Sequence, residues 1–166
     1  SLLQVVIPSR TLVDDYRHLK DEIDRLVGKI NGQHGRASWI PIHYLFRHLD
    51  ETELLAYYRV CEVALITPLK DGMNLVSKEY CACSLEGNGV LILSELAGAA
   101  TQLHEGALIV NPFDIVEMAD AIHRAVTMPE PERRERMQRL RGIVQEQDVH
   151  AWVEGWLAAA AAARRA

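Results

Sequence analysis

The chain has 166 residues with a formal net charge of −5, 49% hydrophobic and 25% charged side chains. That length holds one ordinary hydrophobic core, and the composition is that of a folded globular chain rather than a disordered or membrane-spanning one. An acidic balance argues against a general nucleic-acid binder, whose affinity rests on neutralising phosphates, but leaves room for a small phosphorylated ligand held by local cations.

The elements follow from hydrophobic spacing, in chain order. Leu2 to Ile7 is apolar except for Gln4 and is closed by Pro8, which predicts a strand covered on both faces. From Leu12 the period becomes helical through Tyr16, Leu19, Ile23, Leu26 and Ile30, with Asn31-Gly32 and Gly35 as the stop. A strand is expected over Trp39 to Leu45 and a short helix over Glu51 to Arg59. Val63 to Thr67 reads as a strand closed by Pro68, and a helix is expected from Gly72–Asn74 to about Leu85. After the Gly87-Asn88-Gly89 turn come short strands at Val90–Leu93 and Leu108–Val110. Helices over Ile115–Thr127, Glu130 to about Gln145, and Val149 to the end complete the pattern.

Strands alternating with helices predict an α/β fold, a doubly wound Rossmann-like parallel sheet of about five strands with right-handed crossovers. In such sheets ligands bind beyond the carboxyl ends of the strands. No apolar run is long enough to span a membrane, and the first residues lack a basic-then-apolar leader pattern. Cys61, Cys81 and Cys83 form no zinc-like pairing, so a reducing cytoplasm is the expected location. Cys81 and Cys83 read as small half-buried residues, and His43 and His48 have no identifiable third partner.

The stretch from Val63 to Glu79 points to chemistry: a buried strand, a turn at its carboxyl end, then a helix. Gly72 lets backbone and ligand approach closely. The helix start offers unpaired N–H groups and the positive end of its dipole, which suits a diphosphate, with Lys70 and Lys78 nearby. Were most of the interval helical, Asp71 and Glu79 would stand about 12 Å apart along the axis and about 80° around it. That spacing fits a sugar at one end and a ribose at the other, with Glu79 accepting hydrogen bonds worth roughly 1.5–3 kcal/mol each. It fits equally a helix cap at Asp71 and a solvated Glu79. Spacing alone leaves both readings open.

The segment TPLKDGMNLVSKEY resembles the donor-binding signature TPLRDGMNLVAKEY of the trehalose-6-phosphate synthase family, retaining glycosyltransferases of family 20 with the GT-B fold. Ile30-Asn31-Gly32 with Gly35 resembles the family's INGKYG, and Trp39-Ile40-Pro41-Ile42 its W-x-P strand. Ser94 to Ala100 is similar to SxFAGAA, and Ala107 to Asp114 to ALIVNPYD. Pro8-Ser9-Arg10 resembles P-T/S-S-R.

The resemblance implies a transfer of glucose from a nucleoside-diphosphate glucose, in first place UDP-glucose, to glucose 6-phosphate, without metal or other cofactor. Glucosylglycerol-phosphate synthesis and a non-catalytic regulatory homologue stand as alternatives. Asp71 carries over as the catalytic residue orienting donor-sugar hydroxyls, not as a displacement nucleophile. Gly72, Met73, Asn74, Leu75 and Val76 carry over as the donor-binding helix start, Glu79 as the ribose ligand, and Arg10 as the acceptor-phosphate ligand. The family's upstream motif R-x-D-Y-x-K-G has no counterpart here. The expectation is therefore a C-terminal piece, weak in nucleotide binding and inactive alone, whose partner is the N-terminal domain of the same enzyme. Residues 1–147 would form the nucleotide-sugar domain. Residues 148–166 would form a helix crossing back to that partner. Trp152 and Trp156, on one face of this helix, read on spacing alone as core residues.

Overall fold

The structure, a computed structural model, describes residues 1–8 and 13–163. The chain divides into two compact units, Ser1–Glu53 and Leu54–Ala166.

In the first unit β1 (Leu2–Val6) pairs in parallel with β2 (Ile42–Phe46), Leu2 opposite Ile42 and Val6 opposite Phe46. Between them runs α1 (Asp14–His34), and its Lys20 ammonium lies 4.8 Å from the centre of the Phe46 ring. The helix passes through Asn31-Gly32 instead of stopping there. The Asn31 amide has another use: Nδ2 donates to the Ile42 carbonyl and Oδ1 accepts from the Ile42 N–H, both at 2.9 Å. The stop falls at Gly35, where a Cβ would stand 2.4 Å from the Asn31 carbonyl oxygen. β2 starts later than the apolar pattern predicts. Arg36 and Trp39 close a tight antiparallel turn on each other, and Pro41 has no N–H to give a ladder. The strand expected to be covered on both faces is only half-buried; no described residue of this unit is fully buried. So small a unit, with one helix against two strands, has little with which to exclude water.

The second unit holds most of α2 (Glu51–Val60) and a parallel sheet in the order β3 (Val63–Ile66), β4 (Val90–Ser94), β5 (Leu108–Val110). The five predicted strands and their parallel sense are present, distributed as two sheets of two and three rather than one of five. Every residue of β4 is buried. Its alternation feeds two cores, the expected consequence of helices on both faces. Leu91 and Leu93 pack with Tyr80 of α3 (Leu75–Cys83), Leu103 of α4 (Ala100–Leu103), and Met137 and Leu140 of α6 (Glu130–Glu146). Val90 and Ile92 pack with Leu108, Val110, Met128 and Ala125 of α5 (Ile115–Thr127).

The charged α6 buries only Met137 and Leu140 and carries Arg134–Glu130 and Arg136–Glu132 pairs one turn apart. Its solvated face is the one its charge pattern predicts. The last helix, α7 (Val149–Ala163), has no buried residue. Trp152 and Trp156 are 67% and 62% exposed, which corrects the core reading of this pair. On the helical side the core around Leu91 and Leu93 is closed by Met137 and Leu140 of α6, not by residues of α7. Among the described residues no helix is long and apolar enough to cross a membrane.

Candidate donor site

The turn between β3 and α3 sits at the carboxyl end of the sheet and is stapled to the loop after β4. Asp71 bridges Ala97 in parallel. The Gly98 N–H donates to the Asp71 carbonyl at 2.9 Å, and the Ala99 N–H to the Met73 carbonyl at 2.7 Å. A Cβ on Gly98 would stand 2.1 Å from the Gly72 carbonyl oxygen and 2.7 Å from its carbon. Those are backbone atoms and have no rotamer by which to retreat. Gly98 is thus a site-building residue that spacing did not single out; its signal lay in the small-residue run Ala97-Gly98-Ala99-Ala100. Gly72 is the opposite case. Nothing lies within 4 Å of where its Cβ would be, so the fold does not itself require glycine there.

The helix begins later than predicted, at Leu75, because Asn74 takes the left-handed conformation (φ 75°, ψ 84°) and serves as N-cap. Asparagine tolerates this region better than most residues. Its Oδ1 accepts from the Ser77 N–H at 2.9 Å, and its carbonyl accepts from the Ser77 hydroxyl at 2.8 Å. Its Nδ2 donates to Asp71 Oδ2 at 2.9 Å, while Asp71 Oδ1 accepts from the Met73 N–H at 3.1 Å. Asp71 is therefore not the helix cap; it holds the residue that is. The Met73 amide first, and then the Asn74 side chain, hold its carboxyl below the ordinary range. It stands ionised and fixed at the turn.

With Ser77 capped, Leu75 and Val76 retain N–H groups that have no intrahelical acceptor, at the positive end of the helix dipole. The side chains of Met73, Leu75 and Val76 are exposed. Only the second half of the Asp71–Glu79 interval is helical, so the 12 Å and 80° relation does not apply. Glu79 lies about 6 Å along the axis from Leu75. It is exposed, and its Oε2 accepts from the Tyr58 hydroxyl at 3.0 Å. Tyr58 is a contact that the sequence reading missed, since it joins two helices 21 residues apart.

Lys70 is exposed and Lys78 half-buried. Arg10 lies outside the described residues. His43 and His48 are exposed. Among the described residues no three His, Cys, Asp or Glu side chains are grouped to hold a metal ion. The cysteines are free thiols; Cys83 is half-buried, whereas Cys81 is fully buried and burial pushes its thiol up to about 12.

This arrangement presents a fixed carboxylate, two open amides at a helix start and a second carboxylate one turn on. The model of Glycosyltransferase family 20 matches residues 1–162. The chain belongs to glycosyltransferase family 20. Among relatives of this family 20 chain, the UDP-forming alpha,alpha-trehalose-phosphate synthase A of Dictyostelium discoideum is 47% identical over 156 residues, covering 94% of the chain and 21% of the relative. A Burkholderia xenovorans alpha,alpha-trehalose-phosphate synthase, solved in complex with glucose-6-phosphate, superposes with a TM-score of 0.90 at 39% identity, over 95% of this chain and 34% of that one. The E. coli protein solved with UDP-2-fluoro glucose gives 0.89 at 40% identity, over 94% and 35%. The family 20 chain thus spans about a fifth of the Dictyostelium relative and about a third of the two solved chains.

Proposed function

We propose that this chain is the donor-binding half of a retaining glycosyltransferase that transfers glucose from UDP-glucose to glucose 6-phosphate, forming trehalose 6-phosphate. The observation that carries the reading is the Asp71–Asn74–Ser77 chain of hydrogen bonds, which fixes an ionised carboxylate beside the open amides of Leu75 and Val76. In this reading Asp71 accepts from donor-sugar hydroxyls. The backbone from Gly72 to Val76 meets the diphosphate, and Glu79 receives the ribose. Arg10 grips the acceptor phosphate, a task suited to a bidentate guanidinium.

No metal or other cofactor enters. Catalysis then consists of orienting the donor and stabilising charge on the departing diphosphate. The ligands named for the Burkholderia and E. coli structures support this donor and acceptor over glucosylglycerol-phosphate synthesis or a regulatory role. The partner in catalysis is the N-terminal domain of the same enzyme. Residues 148–166 cross back to that domain from the nucleotide-sugar domain of residues 1–147. The exposed tryptophans of α7 accord with this. The chain alone binds nucleotide weakly and does not turn over. Its setting is the cytoplasm.

The test is an amide-resolved NMR titration of the chain with UDP, GDP and ADP. UDP should shift the amides of residues 72–76 more than the other two nucleotides do. Shifts concentrated at another edge of the sheet would defeat the reading.

A further inference from the structure

We propose that Tyr58 is a positioning residue for Glu79, its phenol fixing the carboxylate in the orientation that receives the ribose diol of a nucleoside diphosphate. The inference rests on the assignment of Glu79 as ribose ligand made above.

Tyr58 belongs to α2 and Glu79 to α3, and the hydroxyl donates to Oε2 at 3.0 Å. The donor itself is anchored. Its ring stands edge-on to the Tyr80 ring, with centroids 6.5 Å apart and planes at 76°. Tyr80 is 1% exposed, and its own hydroxyl donates to the Cys61 carbonyl at 3.1 Å, just past the end of α2. A glutamate on an exposed helix face otherwise samples many rotamers, and ordering them costs free energy when a ligand arrives. A hydrogen bond from a packed ring meets that cost before binding.

The chemistry of the partner also fits. Among the described residues no Lys, Arg or His pairs with Glu79. A guanidinium there would occupy both oxygens. A phenol occupies one lone pair of Oε2 and leaves Oε1 open, so acceptor capacity for two vicinal hydroxyls remains. Burial, and then the neighbouring carboxylate, hold the phenol above its ordinary value. It therefore stays a donor over the whole working pH range.

The test compares UDP with 2′,3′-dideoxy-UDP, which lacks both ribose hydroxyls, by NMR titration of the 166-residue chain and its Tyr58→Phe and Glu79→Gln variants. The unaltered chain should prefer UDP. Tyr58→Phe should raise the Kd for UDP about threefold to tenfold, the worth of one hydrogen bond, and leave that for the dideoxy nucleotide unchanged. Glu79→Gln should erode the same preference. An unaltered chain that binds both nucleotides alike, or neither, would overturn the role of Glu79. A preference lost in Glu79→Gln yet intact in Tyr58→Phe would overturn only the role of Tyr58. Equal weakening toward both nucleotides would mark Tyr58 as merely structural and overturn the proposal too. Tyr58→Leu, which also removes the ring, is the packing control: its melting temperature should fall while its nucleotide preference matches that of the Phe variant.

Discussion

Gly98 donates its N–H to the carbonyl of Asp71 at 2.9 Å and lies so close to Gly72 that no side chain fits between them. Asp71 and its turn are thereby fastened to the loop that follows the central strand.

Exchanging the two glycines should have opposite effects. Gly98→Ala forces backbone apart and should cost about 1–3 kcal/mol, seen as a lower denaturant midpoint with unchanged slope. Gly72→Ala meets open space and should leave stability unchanged or raised by up to about 1 kcal/mol through the unfolded chain. Equal losses in both would remove the close approach as the reason for Gly98.

Asn74 combines a left-handed backbone with a cap, and the two contributions separate by substitution. Asn74→Ala loses both and should destabilise by about 2–3 kcal/mol. Asn74→Gly keeps the backbone freely accessible and should cost roughly 1 kcal/mol or less. Urea denaturation of the two variants checks the order.

Acid should act partly through Asp71. Its folded carboxyl is held below the ordinary value of 3.8, so the charged form is favoured by folding. The resulting contribution is complete above the unfolded value and disappears as pH falls through the lower folded one. Asp71→Asn should flatten the acid limb of stability against pH below about pH 4 and change its slope little above about pH 5. Denaturant midpoints across that range are the measurement. A limb as steep as in the unaltered chain would argue against the bonds from Met73 and Asn74.

Trp152 and Trp156 should emit as solvent-exposed indoles and be quenched freely by acrylamide. Replacing either with alanine should change the stability of the chain by no more than about 0.5 kcal/mol. Blue-shifted, protected emission would show that α7 is covered in solution.

Much of the fold was legible because its determinants are periodic. β4 alternates between two cores, and α5 spans Ile115–Thr127 as its spacing predicts, capped by Asp114, whose Oδ1 accepts from Val116 and Glu117. The misses have local causes that periodicity does not encode. Asn31 looks like a helix stop but pairs with the backbone of Ile42. Trp39 looks like strand but closes a turn with Arg36. α3 starts at Leu75 because Asn74 leaves right-handed space first. At the candidate site, the segment of residues 67–80 was readable as a contiguous string. Gly98 fell inside the Ser94–Ala100 resemblance without its contact being legible, and Tyr58 was not singled out at all, since each acts on a partner distant in sequence. For Trp152 and Trp156, a shared face reveals that two residues are neighbours, not what covers them.

The staple from Asp71 and Met73 to Gly98 and Ala99 begins only a few residues beyond Ser94, which is wholly enclosed at the end of β4. The turn thus borrows its stiffness from the most protected strand of the molecule. The Gly98 and Ala99 amides that donate to it should exchange with solvent deuterium on the timescale of cooperative opening of the sheet, not that of a fraying loop. Warming such a protein would leave the turn either intact or gone, with little in between.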